Sequence, residues 1–134
     1  MGTYMFEATT KAIQVRVEPQ FLDEQSSPED HQYFWAYYVE IENQGSEPVQ
    51  LLGRHWRITD GHGDTQEVIG DGVVGEQPVI QPGETFSYTS GAPLCTPTGF
   101  MGGEYKMEST EGGDFMIDIP AFSLDSPYDN HVVN

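Results

Sequence analysis

Apolar residues in this chain recur at every second position, and that spacing constrains the fold more than any other feature. Ile13, Val15 and Val17 alternate with Gln14, Arg16 and Glu18. Trp35, Tyr37, Val39 and Ile41 repeat the pattern, with Glu40 and Glu42 on the other parity. Side chains alternate across a strand, so each run has one apolar face and one wet face. Val49 to Thr59 reads as a further strand, with Leu52, Trp56 and Ile58 on one parity, and Gln66 to Ile69 resumes extended structure. Phe86 with Tyr88, Tyr105 with Met107, and Phe115 with Ile117 and Ile119 mark three more. No helical pattern of useful length interrupts them.

Turn signals separate these runs. Asn43-Gln44-Gly45-Ser46-Glu47-Pro48 reads as a turn, and Asp60-Gly61-His62-Gly63-Asp64 as a hairpin loop whose glycines supply positive φ. Gln81-Pro82-Gly83-Glu84 has the proline and glycine of a type II turn. Thr110-Glu111-Gly112-Gly113 turns the chain back before the last run. About seven strands between turns predict an all-β fold, a two-sheet sandwich with a barrel as the main rival. Phe21 to Gln32 reads as a polar loop. Residues 1–126 form one expected domain, and 127–134 an expected flexible tail. At 134 residues the chain needs no disulfide or metal to be stable.

The net charge of −17 comes from 22 carboxylates against five cations. Such a field repels nucleic acid and anionic membranes, and it favours cationic partners. A well-solvated surface accounts for the same composition. Cys95 is the single cysteine, so no internal disulfide forms. Its neighbours offer no base or cation to make a thiolate, so it reads as packed or incidental. No apolar stretch has the length of a membrane helix, and no signal pattern opens the chain. The expected location is cytoplasmic.

Gly70-Asp71-Gly72-Val73-Val74-Gly75 matches G-x-G-x-x-G. In a dinucleotide-binding fold this loop leads into a helix whose N-terminus holds the pyrophosphate. Here Pro78 and Pro82 follow and forbid an ordinary helix. A loop that needs positive φ and close backbone approach accounts for the glycines. Exposed N–H groups in such a loop can still form an anion nest, which makes Gly70, Gly72 and Gly75 the candidate ligand-binding positions. In Arg54-His55-Trp56-Arg57, His55 and Arg57 share one strand face while Arg54 and Trp56 share the other. With Trp56 in the core, His55 and Arg57 face solvent and are the candidate anion contacts. Pairing with the chain's own carboxylates is their expected fate.

Asp60, His62 and Asp64 lack the further ligands and terminal Glu of a calcium loop, and turn formation accounts for them. No zinc spacing, no nucleophile elbow and no placed pair of carboxylates is present. The expectation is therefore no catalytic residue, no metal site and no cofactor.

Several segments together resemble the bacterial ApaG family: Glu7-Ala8-Thr9-Thr10, Ile13-Gln14-Val15, Ile41-Glu42-Asn43, Arg54-His55-Trp56, the stretch from Gly70 to Pro78, Pro82-Gly83, Tyr88-Thr89-Ser90-Gly91 and Ile119-Pro120-Ala121-Phe122. The resemblance runs from about Tyr4 to Asp125. It implies an immunoglobulin-like or fibronectin type III-like sandwich. Similar domains in eukaryotic F-box proteins and a DNA polymerase delta-interacting protein are interaction modules. In bacteria the family is associated with cobalt and magnesium tolerance and often neighbours a diadenosine tetraphosphate hydrolase. The expected function is thus a non-enzymatic binding module with a protein partner. The alternative is a binder of pyrophosphate-containing nucleotides, using Gly70, Gly72 and Gly75 with His55 or Arg57.

Overall fold

The alternating runs become strands in a computed structural model that describes residues 6–128. In chain order the strands are β1 (Phe6–Thr10), β2 (Ile13–Phe21), β3 (Tyr33–Asn43), β4 (Val49–Asp60), β5 (Thr65–Asp71), β6 (Val79–Ile80), β7 (Thr85–Leu94), β8 (Gly99–Ser109) and β9 (Gly113–Leu124). All pairings are antiparallel. One sheet has the order β1-β2-β3-β7, and the other has β5-β4-β8-β9 with β6 also on β4. The barrel is thereby excluded in favour of a two-sheet sandwich. The alternation misses two strands: β1, which has few apolar residues, and β6, which is two residues long. The polar segment after β2 holds two short 3-10 turns, Asp23–Gln25 and Pro28–Asp30.

The facing sides of the sheets form the core. Val15, Val17, Trp35, Val39 and Ile41 from one sheet meet Leu51, Trp56, Tyr105, Ile117 and Phe122 from the other, all at most 2% exposed. Burying each such side chain contributes roughly 1.5–3 kcal/mol against its exposed state. Trp56 stands edge-on to Tyr37 and Phe122, with ring centroids 5.2 and 6.1 Å away. The Tyr88 and Tyr105 hydroxyls hydrogen-bond to each other across the interior. Burial raises both phenols above their ordinary range.

Bulges correct the expected parity of β4. The register shifts between Leu51 and Gly53. Leu51 is fully buried and Leu52 only half-buried, so the core residues are Val49 and Leu51 before the shift and Trp56 after it. Sequence alternation placed Leu52 with Trp56 because a bulge switches faces without interrupting the apolar pattern. A second shift, opposite Met101–Gly103, lets β9 turn inward first Ile117 and Ile119 and then Phe122 and Leu124.

The turns form as their residues require. Glu84 N–H donates to Gln81 O at 2.9 Å, with Gly83 at φ +86°. The expected tail lies outside the described residues from 129 onward. Within them, Tyr128 donates a hydrogen bond to Asp23 at 2.9 Å, and its ring sits 5.9 Å from Phe21. No helix among the described residues is long and apolar enough to cross a membrane.

Candidate functional site

The β4–β5 hairpin carries every position singled out for ligand contact except those beyond the end of β5. Its tip closes on Asp60, whose Oδ1 accepts from His62 N–H at 2.8 Å and Asp64 N–H at 3.1 Å. That carboxylate is committed to the turn. Cys95 is exposed, with Sγ 3.9 Å from Asp60 Oδ2.

Cross-strand pairing arranges the outer face of the β5-β4-β8-β9 sheet in rows. Ile69, His55, Glu104 and Asp118 form one row, and Glu67, Arg57 and Gly102 the next. His55 and Arg57 therefore do face solvent together. Arg57 Nη1 lies 3.4 Å from the His55 ring nitrogens. Arg57 Nη2 donates to Glu104 Oε2 at 2.7 Å, and this bond holds the guanidinium above its ordinary pKa. His55 Nε2 lies 3.3 Å from Glu67 Oε1, and Nδ1 lies 3.5 Å from Glu104 Oε1. That Glu104 oxygen is shielded from solvent and has no hydrogen bond.

Grooves flank this network. One, of about 600 Å³, is lined by Arg57, Thr59, Phe100, Gly102 and Asp118. The other, of about 400 Å³, is lined by Arg54, His55, Ile69, Gly70 and Lys106.

The glycine loop follows directly. Gly70 lies one residue before the end of β5, paired with Arg54 beside His55's row, whereas Gly72 and Gly75 belong to a tight turn beyond it. Val73 and Glu76 exchange backbone hydrogen bonds of 2.9 and 2.8 Å, with Val74 at φ +43° and Gly75 at φ +81° between them. Gly72 N–H donates to Leu52 O at 2.8 Å. The N–H groups of Gly72, Val73 and Glu76 are therefore engaged by the chain's own carbonyls. Arg54, rather than Arg57, is the cation that meets this loop: its Nη1 donates to Asp71 O at 3.0 Å and Gly72 O at 2.9 Å. A Cβ on Gly70 would stand 2.8 Å from the Arg54 guanidinium.

Sequence reading did not single out Glu67, Glu104 or the carbonyl-binding role of Arg54. Glu67 was open to discovery, because a hairpin closing at Asp60–Asp64 sets it opposite Arg57. Glu104 was not, because its strand is distant in sequence. Among the described residues no group of three or more His, Cys, Asp and Glu is arranged to hold a metal ion.

The family model described as ApaG domain matches residues 23–109. Protein ApaG of Methylorubrum extorquens is 59% identical over 130 residues, covering 97% of this chain and all of the relative. Protein ApaG of a Bradyrhizobium species is likewise 59% identical with the same coverage. A crystal structure of a Bordetella pertussis protein called ApaA superposes with a TM-score of 0.84 at 50% identity, covering 87% of this chain and 95% of the other.

Proposed function

The chain belongs to the ApaG domain family, and from that premise we propose that it is a non-enzymatic binding module acting through a protein partner. In this reading it works in the cytoplasm and contributes to cobalt and magnesium homeostasis through that partner. The observation that carries the reading is the closure of the candidate site on itself. His55, Arg57, Glu67 and Glu104 are tied to one another, and the loop amides of Gly72, Val73 and Glu76 end on backbone carbonyls. Groups held to one another in this way form a fixed surface suited to recognition. The test is capture with the immobilised full chain from cells grown with and without added cobalt, coupled to cobalt tolerance of a deletion strain carrying the gene. The expected result is one partner retained reproducibly and tolerance restored by the wild-type chain. Failure to retain any partner under every metal and nucleotide condition overturns the reading.

One observation favours a second reading, the binding of pyrophosphate-containing nucleotides such as a diadenosine polyphosphate. Arg54, His55, Lys106 and Gly70 line the same groove, which gathers cations in an otherwise acidic chain. An NMR titration with diadenosine tetraphosphate, with and without Mg²⁺, tests it. The amides of Gly70, Gly72 and Gly75 and the side chains of His55 and Arg57 should shift. Unmoved amides across 70–75 would remove this reading.

A further inference from the structure

Two sheets have four edges, and in this molecule they are treated differently. The β1 and β9 edges close against each other, with Asp118 N–H donating to Thr10 Oγ1 at 3.1 Å. The other two, β5 and β7, have no strand beyond them among the described residues. Open edges invite pairing with other chains, and proteins usually guard them with charge.

Hydrogen-bond phase shows what each open edge presents. Asp60 N–H bonds Asp64 O, so alternation points the backbone groups of Gln66, Val68 and Gly70 toward β4. The free edge of β5 is then Thr65, Glu67, Ile69 and Asp71, which carries two carboxylates. On β7, Asn43 N–H bonds Glu84 O, so Phe86, Tyr88, Ser90, Ala92 and Leu94 point toward β3. The phase of the other side of β3 agrees, because Gln44 N–H bonds Ala12 O and Leu22 N–H bonds Phe34 O. Thr85, Ser87, Thr89 and Gly91 therefore direct both N–H and C=O outward, and all four are exposed. Pro93 supplies only a carbonyl and ends the run. No residue of β7 is charged, in a chain with 27 charged side chains (5 + 22).

We propose that the Thr85–Gly91 edge of β7 is a docking site for an extended, basic segment of a partner protein, which adds to the sheet as its next strand. This rests on the reading of the chain as an interaction module and names the surface and the partner's chemistry. Main-chain hydrogen bonds supply the affinity in such strand addition, and alternate side chains supply selectivity. Inward residues of the incoming strand cover the half-buried Phe86 and Leu94. Outward residues pass the hydroxyl row of Thr85, Ser87 and Thr89, behind which Glu42 and Glu40 stand in register on β3. Arg16 bonds both carboxylates and leaves that row with one net negative charge, which favours Lys or Arg at outward positions of the incoming strand. A second copy of this chain is the wrong occupant, since each copy carries −17.

The test uses a random-peptide phage library selected on the immobilised full chain. Enriched peptides should alternate apolar or β-branched residues with polar and basic ones and lack proline. Bound peptide should slow amide exchange at Ser87, Thr89 and Gly91. Thr89→Pro removes one outward N–H and should weaken binding by up to about tenfold, the loss expected for one hydrogen bond. Ser87→Lys keeps its backbone groups but sets a cation on the outward row, and should weaken binding of a basic segment by like-charge repulsion. Thr65→Lys, on the β5 edge, should leave it unchanged. Melting curves establish that the variants fold, and if Thr89→Pro does not, Ser87→Lys carries the test. An absence of enriched peptides, protection located on the outer face of the other sheet, or a wild-type chain that sediments as a dimer while Ser87→Lys is a monomer each overturns the proposal. If a cellular partner is captured equally well by Ser87→Lys, the edge assignment falls while the module reading stands. If the wild-type chain captures nothing, the module reading itself fails.

Discussion

At Gly72 the backbone has φ +61°, and a Cβ would stand 2.2 Å from the Glu76 carbonyl oxygen. At Gly75 φ is +81° and the same atom would meet open space. The two glycines therefore separate a steric demand from a purely conformational one. Gly75→Ala should cost about 1–2 kcal/mol, the left-handed penalty alone. Gly72→Ala should cost more, because the turn must open as well, and urea denaturation of both variants measures the difference. A second residue-scale prediction concerns Arg16, which bonds Glu40 at 2.9 Å and Glu42 at 3.0 Å. Those hydrogen bonds lower both carboxyl pKa values. A depressed folded pKa contributes stability above the unfolded value, about 4.3 for Glu, which is lost as pH falls through the folded value. Arg16→Met should thus lower the melting temperature at neutral pH, and the wild-type and variant curves should converge only as pH falls from the unfolded value down through the lowered folded ones. A constant gap down to lower pH would show that Arg16 acts by packing instead.

At the scale of single elements, the β4 bulge has the largest consequence. One extra residue, Leu52, allows Leu51 and Trp56 to face the same core although their spacing is odd. Deleting Leu52 brings Leu51 and Trp56 to an even spacing, so a regular strand keeps Val49, Leu51 and Trp56 in the core and the pairing with β8 unchanged. The deletion should therefore retain the near-UV circular dichroism signal and cooperative unfolding, with a lowered midpoint, because Gly72 N–H and Gln77 lose the Leu52 carbonyl. Loss of cooperative unfolding would mean that the bulge itself is required by the core. The bulge also sets which side chains form the outer face. His55 and Arg57 point outward only because the shift precedes them.

Across the whole molecule, the Tyr88–Tyr105 hydrogen bond joins the two sheets inside the sandwich. Tyr105→Phe leaves the Tyr88 hydroxyl buried without that partner, which costs about 1–3 kcal/mol. Changing both to Phe removes the orphan and should recover part of the loss. A double-mutant cycle by chemical denaturation reads this directly, and strictly additive losses would show that the hydroxyls do not depend on each other.

Much of the architecture was legible before folding. Seven of the nine strands, the Pro82-Gly83 turn, the Asp60–Asp64 hairpin and the outward placement of His55 and Arg57 follow from alternation and turn chemistry. These are properties of consecutive residues, which the chain's own geometry dictates. The site was less legible. Arg57 meets Glu104 47 positions away, and Arg54 meets Gly72 18 positions away. Register between strands far apart in sequence decides such meetings, and a single bulge resets it. The same holds for the edges: alternation reveals that β7 is a strand, but only sheet order reveals that its uncharged side is open. The sequence by itself determined an acidic chain of alternating strands. Tertiary structure alone decided which of its polar groups meet one another and which remain free to meet a partner, because non-local pairing carries no local sequence signal.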